Sequence, residues 1–244
     1  MRSLLGFLVL VTISATWASA APIPVHLAVT DGTNVVSLNP DGDLLPIGQY
    51  HSEGSQSTAT FSLEWDIFAG PTSDIQIANY LSVDLKVTNL MSTAQTYSAL
   101  ATLPVPFLAT SGIQGIWGGA ILDLNGDGAT LSTDDTTGDP MFLGLVDGVP
   151  KFVDYPHPFT LVAAPGKGNG TLFAGFGPAA ILGPPIVGEI GVQLRFTASA
   201  GDKAFSHGTF HAFSVPEPPG FMLGGIAALV TVGFISRRKP GTAA

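Results

Sequence analysis

The interior of the chain alternates apolar and polar residues with a period of two, and this pattern constrains the fold more than any other feature. The segments 61–67, 81–87 and 190–196 each place an apolar residue at every second position. Successive side chains of a strand point to opposite faces, so each segment predicts a strand with one buried and one wet face. No interior segment sustains a period near 3.6, so we expect helices only at the two termini.

Turn-forming residues separate these segments. The chain contains 30 glycines and 19 prolines, which cluster in short runs such as 39–42, 164–166 and 183–185. Many short strands divided by turns, without strand–helix alternation or a repeat, are typical of antiparallel sandwiches. We therefore predict an all-β domain over residues 21–214, an antiparallel β-sandwich of jelly-roll or immunoglobulin-like layout, flanked by an N-terminal signal helix and a C-terminal transmembrane helix. The chain has no cysteine, so its core alone must stabilise this domain.

The charge balance excludes one class of partner. The chain carries 9 basic and 18 acidic side chains, a formal net charge of −9. Within residues 21–214 the basic side chains are scattered along the sequence: Lys86, Lys151, Lys167, Arg195 and Lys203. Nucleic-acid binding depends on a basic surface that neutralises phosphates. We therefore expect no nucleic-acid partner.

The N-terminus has the layout of a secretory signal peptide. Arg2 precedes an apolar run over residues 4–11, and residues 18–20 (Ala-Ser-Ala) supply the small side chains that signal peptidase accepts. An uncleaved membrane anchor is the alternative, but the apolar run is shorter than the ~20 residues that a spanning helix needs. We predict a signal peptide over residues 1–20, with cleavage after Ala20 and export of the mature chain.

The C-terminus predicts a membrane span with a defined direction. Residues 220–235 are uncharged and largely apolar, and as a helix they would be roughly 24 Å long, close to the hydrocarbon thickness of a bilayer. We place a transmembrane helix at residues 219–236 and a cytoplasmic tail at residues 240–244. A buried core helix is the alternative, which the terminal position disfavours. The positive-inside rule keeps the basic group that follows the helix in the cytoplasm and the preceding domain outside; this group is Arg237, Arg238 and Lys239.

The order of these C-terminal elements resembles a known sorting signal. Val215, Pro216, Glu217 and Pro218 come first, followed by the apolar helix and the basic end. Residues 215–239 resemble the PEP-CTERM signal of exported proteins in Gram-negative, biofilm-forming bacteria. The resemblance implies that exosortase, a membrane-embedded cysteine peptidase, recognises the Pro-Glu-Pro element. It also implies a link to extracellular polysaccharide and a route through the inner membrane to the cell surface or extracellular space, but it implies no activity.

Residues 123–134 are the sharpest candidate for a ligand site. Asp123, Asn125 and Asp127 stand at positions 1, 3 and 5 of a twelve-residue loop, with glycine at position 6 and Asp134 at position 12. This is the spacing of Ca²⁺-binding loops, because a hard cation needs six to eight oxygen ligands and glycine permits the sharp turn. The carbonyl of Ala129 at position 7 would join this set. A glycine-rich hairpin turn with solvated carboxylates is the alternative, since Asp134 has a shorter side chain than the usual glutamate.

No pattern in the sequence identifies a catalytic residue. The chain lacks cysteine and the Gly-x-Ser-x-Gly motif of serine hydrolases. His207 and His211 are four residues apart, but the segment 205–213 has the pattern of a strand, in which this spacing is about 13 Å. They therefore do not share a metal ion. Trp65 belongs to the apolar face of its segment, whereas Trp117, between glycines, is the candidate for an exposed aromatic side chain.

Together these features predict a non-enzymatic, exported cell-surface or extracellular-matrix protein, sorted through its C-terminal signal. A secreted carbohydrate-binding module and a polysaccharide-acting hydrolase are the alternatives. Two carboxylates about 5 to 9 Å apart in a cleft would favour a hydrolase, and an exposed row of aromatic side chains would favour a binding module. Exosortase, the membrane and exopolysaccharide are the expected partners, and Ca²⁺ is the candidate cofactor.

Overall fold

The computed structural model describes residues 25–45, 48–71, 79–133, 137–154, 158–175 and 179–215. These residues form strands, turns and bends, and none of them lies in a helix. Within this part of the chain there is accordingly no helix long and apolar enough to cross a membrane. The predicted signal peptide and the predicted transmembrane helix lie outside the described residues.

Sixteen strands make up most of the described chain. Strands coincide with the three segments of alternating polarity and with the segment 205–213, so these strand predictions are confirmed. In chain order the strands are β1 (His26–Thr30), β2 (Val35–Leu38), β3 (Asp43–Leu44), β4 (Tyr50–Ser57), β5 (Phe61–Gly70), β6 (Asn79–Asn89), β7 (Gln95–Pro104), β8 (Ser111–Leu122), β9 (Ala129–Ser132), β10 (Phe142–Val146), β11 (Val149–Asp154), β12 (Thr160–Ala163), β13 (Gly170–Ala174), β14 (Ile181–Gly183), β15 (Glu189–Ala198) and β16 (Lys203–Ser214).

The strands build two antiparallel sheets, so the prediction of an all-β antiparallel domain is confirmed. Sheet A has the order β11-β10-β15-β7-β1-β2, with β9 paired to β15 and β12 paired to β9. Sheet B has the order β13-β8-β16-β6-β5-β4-β3, and β14 pairs with β8 on a different stretch from β13. Strand β16 lies inside sheet B, where it pairs with β6 on one side and with β8 on the other.

The two sheets pack face to face around one hydrophobic core. Phe61 of sheet B contacts Tyr97 of sheet A with ring centroids 5.5 Å apart, and Phe210 of sheet B contacts Phe152 of sheet A at 6.3 Å. Every second residue of β6 is buried, so the alternation in the sequence is also the pattern of burial. Burying one such phenylalanine contributes about 1.5–3 kcal/mol. Burial on this scale stabilises a domain that has no disulfide.

The sandwich has two chemically different ends. Both termini of the described chain, Val25 and Val215, emerge at the tail end, because β1 begins there and β16 finishes there. The carboxylate end lies at the opposite ends of the same strands. The tail end comprises residues 104–110, 147–148, 182–188 and 215, and the carboxylate end comprises residues 31–34, 58–60, 89–94, 123–128 and 199–202.

Candidate functional site

The loop that follows β8 is the first candidate site. Strand β8 ends at Leu122 and β9 begins at Ala129, so residues 123–128 connect sheet B to sheet A. This turn requires glycine at two positions, because Gly126 and Gly128 have φ values of 98° and 97°, which other residues rarely adopt. The glycine at position 6, Gly128, thus has the conformational role that the sequence pattern predicts.

Asp123 organises this loop through its carboxylate. Its side chain is fully buried. Oδ1 accepts a hydrogen bond from the N–H of Gly126 (2.6 Å), and Oδ2 accepts hydrogen bonds from the N–H groups of Gly128 (3.0 Å) and Gly166 (2.8 Å). One carboxylate therefore connects the loop to the turn between β12 and β13.

These hydrogen bonds decide the charge state of Asp123. Burial by itself raises the pKa of the Asp123 carboxyl, because burial penalises the charged form. Donation from the backbone N–H groups of Gly126, Gly166 and Gly128 outweighs this effect and lowers the pKa of Asp123 below its ordinary value. Asp123 is therefore a buried, ionised carboxylate at neutral pH.

Two further carboxylates lie beside Asp123. Asp127 belongs to the same loop and is exposed, whereas Asp202, in the turn before β16, is fully buried. Carboxylate oxygens of the three residues lie within 4.8 Å of one another. Asp202 Oδ1 accepts a hydrogen bond from the N–H of Leu124 (3.1 Å), and its Oδ2 accepts one from the Ser199 hydroxyl (2.5 Å). The structure thus adds Asp202, which sequence analysis missed because it lies far from Asp123 along the chain.

The other predicted calcium ligands are placed differently. The Asn125 amide donates to the Ala200 carbonyl (2.9 Å), and Asn125 Oδ1 accepts a hydrogen bond from the N–H of Asp127 (3.0 Å), so its polar atoms already have partners in the protein. Ala129 is the first residue of β9 and pairs with β12. Asp134 lies outside the described residues. The structure therefore brings Asp123 and Asp127 together, and the ligand roles of the other three residues stay predictions.

Three carboxylates this close form a strongly negative site, which we call the carboxylate cluster. A hard divalent cation is bound by oxygen ligands of this kind, and each member offers one oxygen. No ion pair between described side chains includes a member of the cluster. Those pairs join Lys86 and Lys203 to Glu64 and Arg195 to Asp139. The imidazoles of His51 and His207 lie within hydrogen-bond distance of Asp66 and Asp84.

The outer face of sheet B carries a second group of carboxylates. Glu53, Asp66 and Asp84 stand directly opposite one another on β4, β5 and β6, and His207 of β16 continues the row. His51 Nε2 lies 2.9 Å from Asp66 Oδ1, and His207 Nδ1 lies 2.7 Å from Asp84 Oδ1. Like charges opposite each other in a sheet are destabilising. A hydrogen bond between each aspartate and an imidazole reduces the repulsion among these carboxylates. The row depends on strand register, which left no signal in the sequence.

His207 also approaches a hydroxyl group. Its Nε2 lies 3.0 Å from Thr209 Oγ1, so Asp84, His207 and Thr209 follow the order carboxylate, imidazole, hydroxyl that nucleophilic catalysis uses. Thr209 is only 9% exposed, however, and its hydroxyl also bonds to Ser82 Oγ at 3.0 Å. The pairing of β16 on both sides commits its backbone N–H groups to the sheet, so they form no oxyanion hole. The arrangement orients His207 and leaves the hydroxyl inaccessible.

A groove of about 370 Å³ lies beside this row on the outer face of sheet B. Asp66, Asp84 and His207 line one part of the groove, and Ile116 and Phe205 line another. Small outward-facing residues of β8 leave its floor open: Gly118 and Ala120. Hydrogen-bonding groups beside an apolar floor suit a ligand that has both hydroxyl groups and an apolar face.

The prediction that Trp117 is an exposed aromatic is wrong. Its side chain is fully buried, and its Nε1 donates to Ser206 Oγ at 3.0 Å. The neighbouring glycine makes room for the ring instead of marking an open loop, because a Cβ atom at Gly119 would lie 2.6 Å from the Trp117 ring. Trp65 is partly buried and packs against the core, which confirms its assignment to the apolar face.

Val215 is the one residue of the predicted sorting signal that belongs to the described part of the chain; Pro216, Glu217, Pro218, Arg237, Arg238 and Lys239 lie outside it. The N–H of Val215 donates to the Thr110 carbonyl (3.4 Å), and the Thr110 hydroxyl donates to the Val215 carbonyl (2.8 Å). Neither a model of a known protein family nor a curated protein matches the chain. The fold defines the molecule as an all-β protein of two packed antiparallel sheets, and a functional proposal depends on the chemistry of its own residues.

Proposed function

We propose that the protein is an exported cell-surface or extracellular-matrix protein without enzymatic activity, sorted through its C-terminal signal. The observation that carries the proposal is the order of elements from Val215 to Lys239: a Pro-Glu-Pro element, an apolar stretch and a basic end. The signal peptide directs export, and residues 219–236 hold the chain in the inner membrane with the domain outside. Exosortase then recognises the Pro-Glu-Pro element, and processing releases the protein to the cell surface or the extracellular space.

The limits of the sandwich support this proposal. Strand β1 begins at His26, shortly after the proposed cleavage site at Ala20, and β16 ends at Ser214, directly before the proposed sorting signal. Both sheets are thus assembled from strands between the two terminal signals. We further propose a jelly-roll layout, because the chain crosses between the sheets at β2–β3, β6–β7, β7–β8, β8–β9, β12–β13, β14–β15 and β15–β16.

The absence of an enzymatic role is supported by the outer face of sheet B. The arrangement of Asp84, His207 and Thr209 is the strongest catalytic resemblance among the described residues, and its hydroxyl is buried and shared with Ser82. An accessible nucleophile and preorganised donors for a developing negative charge are both needed for acyl transfer. The arrangement supplies neither.

Cell fractionation tests the sorting proposal. The full chain is expressed in its host with and without exosortase, beside a triple variant (Pro216→Ala, Glu217→Ala, Pro218→Ala) and a control, Thr242→Ala, in the proposed cytoplasmic tail. We expect wild type and control to reach the surface only when exosortase is present, and the triple variant to stay in the inner membrane with its C-terminus intact. Arrival of intact wild type in the same compartment of both strains would overturn the proposal.

Membrane topology is tested separately. Protease added to spheroplasts should digest the described domain, because the basic group Arg237 to Lys239 keeps only the C-terminus in the cytoplasm. Exchange of these three cations for glutamate should reduce the fraction of chains in this orientation. Protection of the domain in wild-type spheroplasts would contradict the proposed direction.

We also propose that the carboxylate cluster binds Ca²⁺. Carboxylate oxygens of Asp123, Asp127 and Asp202 lie within 4.8 Å of one another, and two of these side chains are fully buried. A cation between them would offset the repulsion of like charges in a place with little water. Extracellular Ca²⁺ modules need affinities of only about 10⁻⁴ to 10⁻³ M, so a weak site suffices outside the cell.

Thermal unfolding with Ca²⁺ and with EDTA tests this site. We expect Ca²⁺ to raise the melting temperature of wild type by mass action, and Asp202→Asn to abolish the increase. Asp43→Asn, at an exposed residue of β3, is the control that keeps it. Asp134→Asn distinguishes the twelve-residue loop of the sequence prediction from the three-residue cluster. An unchanged wild-type melting temperature up to about 10 mM Ca²⁺, well above the expected affinity range, would overturn the proposal.

The groove on sheet B favours a carbohydrate-binding module as the second candidate function. Asp84 and His207 can hydrogen-bond to sugar hydroxyls, and Phe205 offers an aromatic ring to the apolar face of a sugar. Affinity electrophoresis in extracellular polysaccharide should show retardation that Phe205→Ala and Asp84→Asn reduce and that Val162→Ala, on β12 of sheet A, leaves unchanged. Equal mobility with and without polysaccharide would remove this candidate. Release of reducing ends would instead indicate a hydrolase and contradict the non-enzymatic proposal.

A further inference from the structure

The tail end of the sandwich exposes large apolar side chains. Leu182 is 82% exposed, Val187 is 70% exposed and Phe107 is 64% exposed; we call these three residues the tail-end patch. At the carboxylate end, Leu90 is 52% exposed. Several exposed apolar side chains at one end of a domain mark contact surfaces more often than single exposed residues do.

Hydrogen bonds hold the patch beside the point where the chain leaves the sandwich. Leu182 stands opposite Gly112 at the start of β8, and an isolated bridge between Leu108 and Ile186 brings together the segments that carry Phe107 and Val187. The Ser111 hydroxyl donates to the Pro184 carbonyl at 2.6 Å. The neighbouring residue, Thr110, bonds to Val215. The C-terminal segment therefore leaves next to the patch.

The length of chain after Val215 limits how far the patch can lie from a membrane. Three residues separate Val215 from the start of the proposed transmembrane helix at residue 219, and the four steps from residue 215 to residue 219, at about 3.5 Å each, span at most ~14 Å. The polar interfacial region on each side of the hydrocarbon core is itself about 5–8 Å thick. With the helix in the bilayer, the tail end therefore faces the lipid surface at close range.

We propose that the tail-end patch is a membrane-contacting surface, through which Phe107, Leu182 and Val187 enter the headgroup region of the leaflet on the exported side. The inference rests on the proposed function, because residues 219–236 must first span the bilayer. Contact with lipid removes apolar side chains from water and orients the sandwich with its carboxylate end away from the membrane. Asp147 lies at the same end and is exposed, so the surface fits a zwitterionic lipid better than an anionic one.

Single-cysteine labelling tests the contact in the full chain, because the protein has no cysteine of its own. Leu182→Cys probes the patch, Leu90→Cys is the matched leucine at the carboxylate end, and Ala228→Cys probes the proposed helix. Each variant is labelled with an environment-sensitive fluorophore in phosphatidylcholine vesicles that carry nitroxide lipids. We expect headgroup nitroxides to quench the label at residue 182, deep acyl-chain nitroxides to quench the label at residue 228, and neither to quench the label at residue 90.

The outcomes separate this inference from the proposed function. If the label at residue 228 is quenched but the labels at residues 182 and 90 are both unquenched, the membrane contact is overturned and the proposed anchor stands. An unquenched label at residue 228 would overturn the anchor and, with it, the basis of the inference. Val187→Cys repeats the measurement at a second exposed position, and a wild-type melting temperature for each variant verifies folding. Quenching at residue 187 but not at residue 90 supports the contact.

Discussion

The two ends of the sandwich use the same carboxylate chemistry in opposite surroundings. Asp123 at the carboxylate end is fully buried and accepts three backbone hydrogen bonds. Asp147 at the tail end is exposed, and it also accepts three, from the N–H groups of Val187, Gly188 and Glu189 at 2.7–3.1 Å. In both cases these bonds lower the pKa of the carboxyl group. The number of hydrogen bonds is equal, and the two carboxylates differ chiefly in access to water; Asp147 also has a positive φ of 49°.

Water decides what happens when each carboxylate is removed. At Asp147 the released N–H groups can bond to solvent, which replaces most of the lost interaction. At Asp123 the surroundings are buried, so released N–H groups stay without a partner. The carboxylate end also contains Asp31, which is 7% exposed and accepts hydrogen bonds from the Thr60 hydroxyl and from the Thr33 and Asn34 N–H groups. One end thus depends on buried carboxylates, and the other does not.

The largest effect is expected when this difference is tested directly. Asp123→Ala should lower the melting temperature more than any other substitution considered below, because the loop over residues 123–128 and the turn at Gly166 lose their shared acceptor. Asp147→Ala removes the same number of hydrogen bonds at an exposed position and serves as the matched variant. Thermal unfolding of both in EDTA measures the contrast. Equal losses of melting temperature would show that burial does not distinguish the two ends.

The second-largest effect is expected from acid, which should lower the stability contributed by the carboxylate end. Burial alone raises the pKa of Asp31, but hydrogen bonds from Thr60, Asn34 and Thr33 outweigh it and lower the pKa to about 2. An unfolded aspartate titrates near 4, so the stability from Asp31 is full above about pH 4 and is lost as pH falls to about 2, at most about 2.5 kcal/mol. Urea unfolding measured at several pH values in this range should show that the free energy of unfolding falls less with decreasing pH in Asp31→Asn than in wild type. The same pH dependence of the free energy of unfolding in variant and wild type would contradict this role of Asp31.

The elements that follow from local pattern were predictable, and the sites that follow from register were not. Period-two alternation located β5, β6 and β15 because each has one buried face. Asp202 joins Asp123 only through pairing of β8 with β16, which are far apart in sequence. The prediction for Trp117 was wrong because Gly119 suggested an open segment. The lack of a side chain at Gly119 instead makes room for the indole ring of Trp117. Local sequence encodes which way a side chain faces, and not which strand lies beside it.

A smaller effect, and one that stabilises the protein, is expected from a substitution near the carboxylate end. The ring of Tyr97 is fully buried between Phe61 and Phe196, and its hydroxyl has no hydrogen-bond partner among the described residues. Burial raises the pKa of Tyr97, so the hydroxyl stays protonated. Tyr97→Phe removes an unsatisfied buried group and should raise the free energy of unfolding by about 1 kcal/mol. A loss of stability in urea unfolding would show that the hydroxyl has a partner in solution.

The smallest effect on folding is expected at the tail end. Leu182 is 82% exposed, so Leu182→Ser should change the free energy of unfolding by less than about 0.5 kcal/mol. The same substitution should reduce lipid contact of the full chain in vesicles, since it removes an apolar side chain from the tail-end patch. Leu90→Ser is the control at the opposite end. A large loss of stability in Leu182→Ser would mean that this side chain serves the fold.

The position of β16 also determines how the domain carries mechanical load. If the protein is tethered through Val215, any pull on the tether acts along β16, which is flanked by β6 and β8 and is the last strand of the described residues. The two hydrogen-bonded ladders then bear the force in shear and share it over many bonds, whereas an edge strand pulled sideways opens one bond at a time. The hydrogen bonds between Thr110 and Val215 lie at the C-terminal end of β16, where separation of this strand from β8 would begin. A disulfide-free sandwich anchored in this way gains resistance to force from strand order alone.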